Sequence, residues 1–156
     1  EGTVSQKISA DQLSGIGFST SGEVMPNGEL RVRCMQDSGS GYIWTEPPKD
    51  KKPGWQNAHY HLGSIETYIV QRGMMAFVSE SKGEMHVCLL EAGGVITSVP
   101  GNQHNVYLFA GSAIHTVKHG KAVGNPEKGG ADWYPATEEF DAWTKTLSEE
   151  YLLRLS

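Results

Sequence analysis

The sequence has no long apolar run and no surplus of basic residues. It carries 13 Lys and Arg against 18 Asp and Glu, a formal net charge of −5. Such a chain has no basic excess with which to neutralise the phosphates of a nucleic acid. No segment approaches the roughly 20 apolar residues of a membrane-spanning helix. We therefore expect neither a nucleic acid nor a membrane as a partner.

Cysteine is scarce as well. Cys34 and Cys88 are the two cysteines, and they fit no C-x-x-C metal or redox spacing. Each lies in a strand-like apolar segment, so we expect both to be small buried hydrophobic residues. Because no disulfide framework and no signal peptide are visible, the expected compartment is a reducing cytoplasm.

Glycine and proline are frequent and punctuate the chain. The 19 glycines and seven prolines separate short segments of alternating apolar and polar residues, which is the pattern of strands joined by turns. At 156 residues the chain has the size of one domain, and we predict one all-β barrel with its core at about residues 25–120. The predicted strands are Leu30–Cys34, Tyr42–Thr45, Ala58–Leu62, Glu66–Gln71, Met74–Ser79, Met85–Leu90, Val95–Val99, Val106–Phe109 and Ala113–Lys118.

The end of the chain has a helical pattern instead. Thr137 is a capping residue followed by two acids, and Phe140, Trp143 and Leu147 recur at helical spacing. Ser148 begins a second segment of the same kind. We predict one or two short helices at about residues 137–155, packed on the barrel or on a partner subunit.

A closely spaced pair of histidines is the first indication of a metal site. His59 and His61 flank one residue, and alternate side chains of a strand point to the same face. The turn Gly63-Ser64 would let the next strand run back beside the first and bring Glu66 level with the pair. An isolated H-x-H is more often two polar positions on a solvent-exposed strand, so the interpretation depends on further ligands.

His104 is the best-placed fourth ligand, because it follows the turn Pro100-Gly101 and precedes a strand. Three imidazoles and one carboxylate leave positions open on a six-coordinate metal, as a catalytic site requires. One negative charge against a divalent ion leaves a positive site that favours anionic or oxygen-rich ligands. Iron, manganese, nickel, cobalt and zinc all accept this ligand set.

The spacing of these residues resembles the two signature motifs of the cupin superfamily. The motifs here are Gly54-x4-His59-x-His61-x4-Glu66-x6-Gly73 and Gly94-x5-Pro100-Gly101-x2-His104. The resemblance implies a small jelly-roll barrel, or double-stranded β-helix, with one divalent metal ion held inside by three histidines and a glutamate. It also implies frequent dimerisation, so we expect a homodimer.

The resemblance implies a function as well. Its ligand set is similar to that of dioxygenases and organic-acid decarboxylases, and sugar isomerases and epimerases are a second group. We therefore expect a metal-dependent enzyme acting on a small polar or anionic molecule, with Glu66 also as proton acceptor. Tyr68 and His115 are candidates for the substrate pocket, and Lys118 is a weaker one. The alternatives are a small-ligand-binding cupin without catalysis and a metal-free barrel.

Overall fold

The structure is a computed structural model that describes residue 2 and residues 4–156. Most of its regular structure is strand, joined by tight turns. In chain order the elements are α1 (Ala10–Gly15), β1 (Phe18–Val24), β2 (Leu30–Gln36), β3 (Gly41–Glu46), β4 (His59–Tyr60), β5 (Ser64–Arg72), β6 (Met74–Ser81), β7 (Glu84–Glu91), β8 (Val95–Thr97), β9 (His104–Leu108), β10 (Ala113–Gly120), a 3₁₀-helix (Pro126–Lys128), β11 (Tyr134–Pro135), α2 (Glu138–Thr146) and α3 (Glu149–Leu153).

The strands form two antiparallel sheets. The first sheet has the order β1-β2-β3-β10-β5-β8, and the second has the order β11-β4-β9-β6-β7. From β4 onward the chain passes repeatedly from one sheet to the other, apart from the hairpin of β6 and β7 within the second sheet. This is a jelly-roll barrel, and the predicted all-β class is confirmed.

The barrel core lies between the two sheets. Val70 and Ile114 of the first sheet pack with Met75, Phe77 and Leu108 of the second, and all are almost fully buried. These residues occupy alternate positions of their strands, as strands with one buried face require.

The C-terminal helices cover the outer face of the second sheet. Leu152 of α3 is fully buried against Tyr107 and Phe109, while Phe140 of α2 packs on Ala58 and Val78. The indole nitrogen of Trp55 donates to the carbonyl of Leu147 at 3.1 Å. The appendage therefore packs on the barrel of its own chain.

The N-terminal part contains structure that the sequence pattern did not indicate. The capping box of Ser9 and Gln12 starts the short helix α1. The strand β1 pairs along its whole length with β2, so the first sheet begins before the predicted boundary near residue 25.

Among the described residues, no helix has the length and apolar content needed to cross a membrane.

The expectation that both cysteines are buried is wrong, because both are exposed. In β2 the apolar residues Leu30, Val32 and Cys34 point out of the barrel, and Arg31 and Arg33 line its interior. Cys88 lies on the edge strand β7. Alternation identified each strand correctly, but it does not tell which of the two faces is inside.

Gly63 lies where the turn into β5 touches the end of β10. A methyl group there would overlap the backbone carbonyl oxygen of Lys121. We predict that Gly63→Ala destabilises the fold by about 1–3 kcal/mol because the backbone must shift. Urea denaturation would measure this cost. Gly15→Ala is the matched control, since a methyl group there meets nothing within 4 Å; equal losses in both variants would contradict the prediction.

Candidate metal centre

The predicted ligands reach one point from three strands and two sheets. His59 on β4 lies directly opposite His104 on β9 within the second sheet, and His61 follows β4. Glu66 lies on β5 of the first sheet. The sequence analysis placed Glu66 on a strand beside the histidine pair, and this is wrong: β4 and β5 are in different sheets. The carboxylate instead crosses the barrel interior to meet the imidazoles.

The four side chains form a tight buried cluster. The Glu66 Oε1 atom lies 2.5 Å from Nε2 of His61, 3.5 Å from that of His104 and 3.9 Å from that of His59. One ligand atom from each residue lies within 4.8 Å of the others. Two ligands bound about 2.1 Å from one ion lie at most about 4.2 Å apart. Small side-chain adjustments therefore suffice for a shared ion.

Backbone carbonyls orient all three imidazoles in the same way. The Nδ1 atom of each ring faces a carbonyl oxygen, so it carries the proton and donates it. The acceptors are Asn57 at 2.8 Å from His59, Asp132 at 2.5 Å from His61 and Asn102 at 3.4 Å from His104. This leaves the Nε2 lone pairs aimed at the cluster centre, the usual arrangement of metal-binding histidines.

One nitrogen of the cluster lacks a partner. Within the described residues, Nε2 of His104 is the buried side-chain polar atom that no hydrogen bond satisfies. A buried acceptor of this kind costs stability unless something binds it. The donor set and this orphaned nitrogen together fit a divalent metal ion.

The charges of the cluster also fit a cation. Burial alone would raise the pKa of Glu66, but the neighbouring imidazoles of His104, His59 and His61 hold that pKa well below its usual value. Burial lowers the pKa of His59 to about 4, so this imidazole is neutral near neutral pH. Burial also acts against a charged His61, yet the hydrogen bond and charge of Glu66 raise its pKa. The buried carboxylate thus needs a positive partner, which is either a proton on His61 or a bound ion.

Comparisons with solved structures identify the fold. A variant of Pac13 from Streptomyces, in a structure with uridine, matches with a TM-score of 0.54 and 13% identity over 76% of this chain and 85% of that chain. The cupin domain of Drosophila melanogaster CENP-C matches with a TM-score of 0.50 and 14% identity over 76% and 85%. The fold is that of a cupin. The capsular polysaccharide assembling protein CapF of Staphylococcus aureus matches with a TM-score of 0.55 and 15% identity over 74% of this chain, but over 34% of CapF.

These likenesses concern the fold of the cupin barrel. No family model matches the sequence, and no curated protein matches it. At such low identity the activity of a structural neighbour does not transfer, so function has to be argued from the site itself.

A cavity of about 140 Å³ opens beside the cluster within the cupin barrel. His59, His61 and Glu66 form its floor, and Tyr68 lies in its wall. The Tyr68 hydroxyl donates to Oε1 of Glu66 at 3.0 Å. Burial, and then the charge of Glu66, raise the pKa of Tyr68 well above its usual value, so the phenol stays neutral and orients the carboxylate.

His115 does not line the cavity, which corrects its prediction as a pocket residue. It lies on β10 at a position of opposite parity to the lining residues Ile114 and Thr116. Its ring is held on the outer face of the first sheet by Tyr42 and Gln71, each at 2.7 Å.

Several lining residues were not assigned to the pocket from the sequence. Arg31 and Arg33 of β2 lie in the wall, and Trp133 packs its ring on that of His59 with centroids 5.3 Å apart. Lys118, the weaker candidate, lines the cavity as well. The two arginines look like solvent-facing residues in sequence, and only the position of the strand in the barrel reveals their direction.

Asp132 was also missed, and it holds the site together. Its carboxylate accepts hydrogen bonds from the backbone N–H groups of Leu62, Gly63, Ser64 and Val123 at 2.7–2.9 Å. Its backbone carbonyl accepts from Nδ1 of His61. One residue therefore fixes both the turn that leads into β5 and the orientation of a candidate ligand.

The four hydrogen bonds make Asp132 sensitive to acid. Burial would raise its pKa, but the backbone N–H groups lower it from 3.8 to about 2. A lowered folded-state pKa stabilises the fold above the unfolded-state value, and that stabilisation disappears as the pH falls from about 4 to about 2. It amounts to about 2 kcal/mol at neutral pH.

We predict that Asp132→Asn lowers the free energy of unfolding by at least about 2 kcal/mol at pH 6, and that this difference shrinks towards pH 2. Urea denaturation across this pH range with a chelator present would measure it. Asp50→Asn, at an exposed loop position, is the control. A difference between Asp132→Asn and the natural chain that does not change with pH would contradict the prediction.

Proposed function

We propose that this cupin barrel is a metal-dependent enzyme that acts on a small polar or anionic molecule. His59, His61, Glu66 and His104 would hold one divalent ion. The observation that carries the proposal is the meeting of these four buried groups beside a cavity that His59, His61 and Glu66 line, with the Nε2 atom of His104 unpartnered. A purely structural polar cluster has no need of a cavity beside it.

A bound ion would supply Lewis-acid chemistry, and iron would add redox chemistry with dioxygen. The side chains of the protein supply a proton acceptor and the walls of the binding cavity. Glu66 stays ionised and accepts a hydrogen bond from Tyr68, so it is our candidate for the group that takes up a proton from substrate. Trp133 and Tyr68 form the cavity walls that would shield a bound molecule from water.

The reaction class that we favour is that of a dioxygenase or an organic-acid decarboxylase, on the resemblance of the ligand set. Sugar isomerase or epimerase chemistry is the alternative within the same site. Among the structural neighbours, the Pac13 variant is described in a structure with uridine, which is a small polar molecule. A cavity of about 140 Å³ is close to the size of one that holds benzene, which favours a small substrate.

The homodimer and the cytoplasmic location stay predictions. The outer face of the first sheet exposes apolar side chains, with Val24 at 71%, Leu30 at 38% and Val117 at 39% relative exposure. Apolar side chains that share one exposed face favour association, so a second copy of the chain is expected to pack there.

We predict that His59→Ala and His104→Ala each lower metal content from about one ion per chain to near zero, because each variant removes a ligand from a preformed site. Elemental analysis of protein purified without an affinity tag would measure this, and circular dichroism would show that the barrel persists. His86→Ala is the control, since His86 is exposed on β7. Unchanged metal content in both ligand variants would rule out the proposed site.

We predict that Glu66→Gln keeps part of the bound metal but slows turnover about 10²–10⁴-fold, the usual effect of removing a general base. Protein reconstituted with each of the five candidate metals would be assayed with small organic acids and sugars. Oxygen uptake supports a dioxygenase, and carbon dioxide release without oxygen uptake supports a decarboxylase. A metal-loaded protein that binds these molecules and converts none would instead be a binding cupin.

A further inference from the structure

Lys118 lies in the cavity wall next to the candidate metal centre. It lies on the inner face of β10, directly opposite Glu66 on β5 and Gly41 on β3. Side chains at directly opposite positions start about 5 Å apart. Lys118 is therefore one strand away from the candidate metal centre, and its other neighbour has no side chain to fill the space beside it.

The charge of Lys118 is not offset by a carboxylate. Of the other cations in this wall, Arg31 pairs with the buried Glu29 at 2.9 Å and Arg33 pairs with Glu23 at 2.5 Å. Within residues 4–156, no carboxylate oxygen lies within 4 Å of the Lys118 ammonium group, the adjacent Glu66 included. The carboxylate of Glu66 already makes hydrogen bonds with the imidazole of His61 and with the hydroxyl of Tyr68.

A half-buried lysine in a cavity wall, with no acidic partner, favours an anion from outside the chain. Charge-assisted hydrogen bonds to a carboxylate or a phosphate are among the strongest available to a lysine. The cavity of about 140 Å³ lies between this group and the cluster, so a molecule of a few carbon atoms would reach both. A larger substrate would have to extend out of the cavity mouth.

We propose that Lys118 is the anion-binding residue of this pocket, and that the substrate is a small organic anion with two oxygen functions. Its carboxylate or phosphate group binds Lys118, and its second oxygen function faces the cavity floor formed by His59, His61 and Glu66. This inference rests on the proposed function for the identity of the second contact, but the contact at Lys118 does not require the ion.

Calorimetric titration tests the proposal with three probes: malonate, inorganic phosphate and the neutral malonamide. Each is titrated into zinc-loaded and into metal-free protein, and metal content is measured separately. We expect Lys118→Met to weaken binding of the preferred anion about 10- to 100-fold, without changing metal content or the affinity for malonamide. Lys118→Arg, which keeps the charge, should recover part of the affinity.

Lys121→Met, at an exposed position just after β10, is the matched control and should leave anion affinity unchanged. Tighter binding of malonate identifies a carboxylate substrate, and tighter binding of phosphate identifies a phosphorylated one. If Lys118→Met binds both anions as the natural chain does, or if the natural chain binds neither, the proposal is wrong. Lysine-dependent anion binding by a chain that holds no metal would support this inference and overturn the proposed function.

Discussion

The carboxylate of Glu66 is the group on which the site depends, because a buried negative charge must be compensated by its surroundings. The first sheet delivers this carboxylate and the second sheet delivers the histidines that meet it. The two halves of the barrel therefore face each other across an electrostatic contact as well as an apolar core. An ion at that point would strengthen the contact between the sheets and also leave positions open towards the cavity.

The surroundings of the cluster keep the donors aimed inward. Three backbone carbonyls fix the imidazole rings. The carboxylate of Asp132 fixes the turn that connects His61 to β5. Residue 132 belongs to a segment that comes after the last long strand of the barrel. The geometry of a site formed by residues 59 to 104 thus depends on a later segment of the chain. In that segment β11 pairs with β4, and Trp133 packs on His59.

Much of this could be predicted from sequence, because the signals were local. Alternation located nearly every strand from β2 to β10, and Thr137 and Ser148 marked the starts of α2 and α3. The spacing of His59, His61, Glu66 and His104 predicted their meeting. The path of the chain between β4 and β5 was not predictable. A turn such as Gly63-Ser64 serves equally well for a hairpin within one sheet and for a crossing between two sheets. That choice is made by the pairing of distant strands.

The orientation of the side chains of β2 shows most clearly what a local sequence pattern does not determine. Leu30, Val32 and Cys34 form the apolar side of an alternating strand, yet they face outward, and Arg31 and Arg33 point to the cavity. The half-buried arginines can face inward because Glu29 and Glu23 pair with them, and these acids come from the turn before β2 and from β1. The interior of the barrel is therefore apolar at one end and charged at the other. Lys118, on the inner face of β10, belongs to the charged end and has no such acid beside it. A pocket built in this way would favour a molecule that brings the missing negative charge with it.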